Sequence, residues 1–210
     1  MTESRLFHCD GSGKLSAPQE KFDRSGEYKI IRGSDRSIRY SIKASFNECT
    51  QATDKELRPV CMIFPGFRMR GTEGGVCRRM LKALQERGLP SLIFDYTGLV
   101  ANSTDEIDNA DMRSMIMDAE ECLPFLGDRK TIYIGVSYGI NIAMQVLTRA
   151  VRGVIGVSCA PDILQRHIVP HKLNDDYKAA TAETGFARVH FDDGSDMKIT
   201  RGFFCQCSEL

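Results

Sequence analysis

The chain has 210 residues, with 28 Lys plus Arg against 28 Asp plus Glu, so its formal net charge is zero. That balance excludes a general binder of nucleic acid or of anionic membranes, which needs a basic surplus. Hydrophobic residues at 42% and charged residues at 27% are ordinary for a globular protein, the length suits one domain with a full core, and no apolar run is long enough to cross a membrane.

Residues 1–27 are rich in Ser, Gly and charge, lack a secretory-type apolar stretch, and read as a loosely ordered arm. From residue 28 to 210 the pattern is that of a single domain. Tyr28-Lys29-Ile30-Ile31 begins a strand, Gly33-Ser34-Asp35 reads as a turn, and Ile38, Tyr40, Ile42 and Ala44 alternate with polar residues. The pair predicts an antiparallel hairpin. Val60-Cys61-Met62-Ile63-Phe64 is a continuous apolar run, the mark of a strand buried on both faces. Val76, Cys77, Met80, Leu81 and Leu84 stripe a helix that Gly88 and Pro90 stop. Ser91 to Asp95 is the next strand. A helical stripe of Met115, Ile116, Ala119, Cys122, Leu123 and Leu126 follows, then a strand at Thr131 to Val136. Ile140, Ala143, Met144 and Leu147 stripe a third helix, and Val154 to Ser158 is a sixth strand. Two strands followed by alternating strand and helix predict an α/β fold, a mostly parallel doubly wound sheet with helices on both faces.

The sharpest chemical signal is Gly135-Val136-Ser137-Tyr138-Gly139, a G-x-S-x-G pentapeptide placed directly between a strand and a helix. A nucleophile elbow needs that setting, because a sharp turn holds the serine in a strained conformation and leaves room only for small neighbours. The Ser137 hydroxyl then stands at the head of the following helix. A hydrolase also needs two backbone N–H groups aimed at the developing oxyanion. Tyr138, after the nucleophile, supplies one; Phe67, in the Phe64-Pro65-Gly66-Phe67 loop after the third strand, supplies the other.

Taken together, these residues resemble the α/β-hydrolase superfamily. Pro65-Gly66-Phe67, then Asp95-Tyr96-Thr97-Gly98, then Gly135 to Gly139 stand in the order and at the intervals of its oxyanion loop, its turn after strand four and its elbow. More narrowly, Phe64 to Thr72, Phe94 to Gly98, Ala160-Pro161-Asp162 and Ile199-Thr200-Arg201 resemble the small esterases related to mitochondrial palmitoyl-protein thioesterase and acyl-glucuronide esterase. The resemblance implies a serine hydrolase cleaving a carboxylic ester or thioester through an acyl-Ser137 intermediate, with a small-molecule acyl substrate and no cofactor. It also implies an acid after a seventh strand and a histidine after an eighth. Neither strand has a counterpart here, so the expectation is a core that is incomplete after the sixth strand, with a lid-like region over 162–205. A catalytically dead or truncated hydrolase fold acting as a binding module is the alternative.

Substitutes for the missing pair are few. His190 is a candidate base, within Arg188-Val189-His190-Phe191-Asp192, and Asp162, after the sixth strand, is a candidate acid. His167 and His171 lie four apart and read as lid surface; Asp95 reads as structural, orienting its own turn. Arg68, Arg70, Arg78 and Arg79 read as surface charge. The eight cysteines include no CxxC pair. They read as mostly buried thiols in a reducing, cytoplasmic compartment, with a mitochondrial one implied by the resemblance alone. No metal site and no nucleotide-binding loop is expected.

Overall fold

The computed structural model describes residues 5–8, 26–32, 40–47, 58–67, 69–73, 75–96, 112–159, 183, 186–190 and 196–200. In chain order these form β1 (Arg5–His8), β2 (Gly26–Arg32), β3 (Tyr40–Asn47) and β4 (Val60–Phe64). Then come α1 (Gly75–Glu86), β5 (Ser91–Phe94), α2 (Met112–Cys122) with a 3-10 turn at Leu123–Leu126, β6 (Thr131–Val136), α3 (Gly139–Gln145) and β7 (Val151–Val157). A separate hairpin, β8 (Phe186–His190) with β9 (Asp196–Thr200), lies within the stretch read as lid-like.

The main sheet runs β1-β2-β3-β5-β4-β6-β7. β3 is antiparallel to β2 and to β5, whereas β5, β4, β6 and β7 run parallel. β4 is buried along its whole length and its side chains alternate between two cores. Val60, Met62 and Phe64 face the core closed by α2 and α3; Cys61 and Ile63 face the one closed by Cys77 and Leu81 of α1. Helices on both faces explain the unbroken apolar run, since neither face of the strand meets water. Full burial of each such side chain contributes about 2 kcal/mol. In the first core Phe64 meets the Phe94 ring edge-on at 5.8 Å and the Tyr133 ring at 4.8 Å.

The strand order reverses at β4. Its successor β5 lies on one side and β6 on the other. In open α/β sheets such a switch leaves a crevice beyond the carboxyl ends of the strands, where ligands bind. The carboxyl ends of β5, β4 and β6 therefore bring Asp95, the Pro65 loop and Ser137 side by side.

The structure departs from the sequence reading in three places. Arg5–His8, inside the segment read as an arm, pairs in parallel with β2, Arg5 opposite Tyr28 and His8 opposite Ile31; a four-residue strand held by long-range pairing leaves almost no periodic signal. The third helix ends at Gln145 and buries Gly139, Ile142 and Ala143, with Val146 buried just beyond it, while Met144 and Leu147 are about half exposed. The stripe was therefore out of phase with the face that meets the sheet. β7 starts three residues earlier than expected, with Ile155 half exposed.

Candidate active site

Ser137 immediately follows β6 with φ 51, a left-handed conformation that a side-chain-bearing residue adopts only under strain. Its N–H is fixed by a 2.8 Å hydrogen bond to the Val157 carbonyl of the neighbouring β7. The flanking glycines follow from contact distances. A Cβ on Gly135 would lie 2.4 Å from the Ile140 Cα, and one on Gly139 would lie 2.2 Å from the Phe64 carbonyl oxygen and 2.5 Å from that of Pro65. The turn thus folds back on α3 on one side and against the end of β4 on the other. α3 is only seven residues long, so its dipole is smaller than a full helix would give. Tyr138, at its head, is fully buried.

The loop after β4 packs directly on this turn. A Cβ on Gly66 would stand 3.0 Å from the Val136 carbonyl oxygen and 3.1 Å from the Ser137 Cβ. The loop's own turn is closed by the Met69 N–H donating to the Gly66 carbonyl at 3.0 Å, which places Phe67 at the tip. The Phe67 ring meets the Tyr138 ring edge-on, with centroids 6.2 Å apart. The rings of the two residues read as oxyanion donors thus pack together, Tyr138 directly following Ser137 in the chain.

The far end of the same loop is tied to β5. The Thr72 N–H donates to Asp95 Oδ1 at 3.0 Å, and the Thr72 hydroxyl donates to Asp95 Oδ2. Both residues are buried. Asp95, which the sequence reads as orienting its own turn, is joined by these hydrogen bonds to the β4 loop. The signal was present as Gly71-Thr72, but nothing local pairs those residues with a position 23 further on.

A cavity of about 440 Å³ opens behind this loop, lined among the described residues by Met69, Arg70, Glu73, Gly75, Val76 and Cys77. Arg70 pairs with Glu73 at 3.6 Å in a largely exposed contact. Cys77 is a rival nucleophile by position, but burial pushes its thiol up to about 11, the Gly66 backbone pulling it partly back. At neutral pH it is therefore protonated and inert. On the opposite face Tyr96 is held well above the usual tyrosine range by burial and then by the nearby Asp118 carboxylate.

The remaining candidates are placed only in part. His190 ends β8, directly across the ladder from Asp196. Asp162, His167, His171 and Arg68 lie outside the described residues. Arg78 and Arg79 sit on the exposed side of α1. Among the described residues no cysteine is in a disulfide; Cys61, Cys77 and Cys122 are buried and Cys159 is exposed. Among the described residues no helix is long and apolar enough to cross a membrane.

No protein-family model and no curated protein matches the sequence. Solved structures do. A protein from Agrobacterium vitis S4 assigned as a hydrolase superposes with a TM-score of 0.71 at 21% identity, over 88% of this chain and 71% of that one. Alpha/beta hydrolase domain-containing protein 10 from mouse gives 0.60 at 16% identity, over 85% and 69%. Est1E from Butyrivibrio proteoclasticus, solved with ferulic acid bound, gives 0.61 at 15% identity, over 81% and 68%. Identities this low speak of architecture alone, and the architecture is the one built above: this chain has the α/β-hydrolase fold.

Proposed function

We propose that the chain is a serine hydrolase that cleaves carboxylic esters or thioesters. Ser137 Oγ attacks the acyl carbon, its proton passes to a base, and the backbone N–H groups of Phe67 and Tyr138 hold the oxyanion. Collapse of the tetrahedral intermediate expels the alcohol or thiol, which takes the proton from the base. Water then releases the acid from acyl-Ser137 by the same steps. His190 is the base we assign and Asp162 the acid.

The observation that carries the reading is the placement of Ser137: a non-glycine residue at φ 51, at the end of a parallel strand beside the switch point, with Gly66 of the neighbouring loop packed against it. Strain of this kind costs about 1–3 kcal/mol and concentrates at functional sites. Within the fold, the motif Phe64 to Thr72 with Phe94 to Gly98 supports a small esterase or thioesterase of the palmitoyl-protein thioesterase and acyl-glucuronide esterase kind.

The test is hydrolysis of p-nitrophenyl acyl esters and of acyl thioesters by the wild type and by Ser137→Ala. The proposal expects turnover that disappears in Ser137→Ala. Turnover equal in the two proteins, or none above the uncatalysed rate from folded protein, rejects it and favours a hydrolase fold retained for binding.

A further inference from the structure

The Asp95 carboxylate is buried in a position the chemistry above does not use, and both of its oxygens accept from the same residue, Thr72. Thr72 lies on the loop whose other end carries Gly66 and Phe67. A buried carboxylate taking two hydrogen bonds from one residue is a two-point attachment, which fixes orientation as well as distance. Between the anchor and Gly66, Gly71 is wedged: a Cβ there would lie 2.6 Å from the Phe94 carbonyl oxygen, 2.6 Å from Pro65 Cγ and 3.2 Å from Asp95 Oδ1. The loop is therefore seated on the end of β5 with no space to spare, and its start and end touch at Pro65 and Gly71. A shift at Thr72 is passed through Gly71 to Pro65 and so to Gly66, which stands against Ser137.

We propose that Asp95 and Thr72 form a clamp that sets the position of the Phe67 N–H relative to Ser137, making both of them positioning residues for oxyanion stabilisation. Both members of the clamp are buried, Thr72 and Asp95 alike. This inference rests on the serine-hydrolase reading for its effect on rate, but not for its effect on the loop.

The discriminating variant is Thr72→Val, which keeps the shape and the backbone N–H bond to Oδ1 while removing the hydroxyl bond to Oδ2. Thr72→Ser retains both bonds and serves as the rescue. Misplacement of a catalytic group by about 1 Å costs on the order of 100-fold, so a partial release should lower kcat about 10- to 100-fold. KM is expected to stay within about twofold, because ground-state binding does not use the oxyanion contacts. Thr72→Ser should return kcat to within about threefold of wild type. Thermal unfolding is followed in parallel, so that a lower folded fraction is not read as a lower rate.

Amide hydrogen exchange across residues 66–72 supplies the readout that needs no activity. Thr72→Val and Asp95→Asn should each speed exchange in this segment at least about tenfold relative to exchange in β4 and β6. Unchanged exchange overturns the clamp, as does a kcat that falls only with the folded fraction or a Thr72→Ser no better than Thr72→Val. If the wild type shows no Ser137-dependent turnover, the proposed function fails by itself, and faster exchange still upholds the clamp.

Discussion

Gly66→Ala is the substitution that most sharply separates catalysis from stability here. Gly66 does not have a positive φ, so alanine can adopt its backbone. The added Cβ would meet Met69 Sδ at 2.9 Å, the Val136 carbonyl oxygen at 3.0 Å and Ser137 Cβ at 3.1 Å. Met69 can swing its thioether aside. Val136 and Ser137 cannot yield, because β6 is hydrogen-bonded on both sides, to β4 and to β7. Comfortable separation for such atoms is about 3.5 Å, so the loop must retreat by roughly 0.5 Å. Overpacking of that size costs about 1–3 kcal/mol, a fall in Tm of roughly 2–4 °C per kcal/mol for a chain of this length. The retreat carries Phe67 away from Ser137. Loss of one oxyanion donor costs about 100- to 1,000-fold in kcat, and a partial displacement should cost about 10- to 100-fold. Steady-state hydrolysis of a p-nitrophenyl ester, beside a thermal melt, checks both numbers. A kcat within twofold of wild type, in protein whose melt has shifted as expected, would refute the proposed role of Phe67 as an oxyanion donor.

Gly139→Ala should cost at least about 3 kcal/mol, since the new Cβ meets two backbone carbonyl oxygens at 2.2 and 2.5 Å. Gly153→Ala on β7 has open space around it and should stabilise by about 0.5 kcal/mol through the unfolded chain; urea titration compares the two. The Cys77 thiol is raised from 9.0 to about 11 in the fold. The folded state therefore holds that proton more tightly than the unfolded one. The resulting stabilisation is complete below pH 9 and is lost as pH climbs through 11, about 2–3 kcal/mol in all. Cys61 shifts in the same direction. Unfolding midpoints at pH 8.5 and 11 should thus diverge in the wild type and less so in Cys77→Ala. His190→Ala should lower kcat by about 100-fold or more with an unchanged melt, and an unchanged kcat would remove His190 as the base.

The parts of the fold that could be read from the sequence are those whose signal is local. β4 announced itself because burial on both faces leaves no polar positions, and the elbow did because Gly135 and Gly139 flank a serine between strand and helix. What escaped depends on distant partners. Arg5–His8 is a strand only because β2 lies beside it. The phase of α3 is set by which side of a seven-residue helix meets the sheet, and a stripe of four apolar residues does not fix that. The bonds between Thr72 and Asp95 join loops that follow two different strands, so no local pattern pairs them. The identity of the base and acid belongs to the same class. The proposed base His190 and acid Asp162 lie far along the chain from Ser137, and spacing alone does not pair either of them with it.

The central claim is that Ser137 is an activated nucleophile. Incubation of the purified protein with a fluorophosphonate, followed by intact mass and peptide mapping, tests it directly, with Ser137→Ala as the control. The account predicts a single phosphonyl adduct on Ser137 that is absent from the variant. Folded protein that takes up no label, or that labels equally in Ser137→Ala, would contradict it.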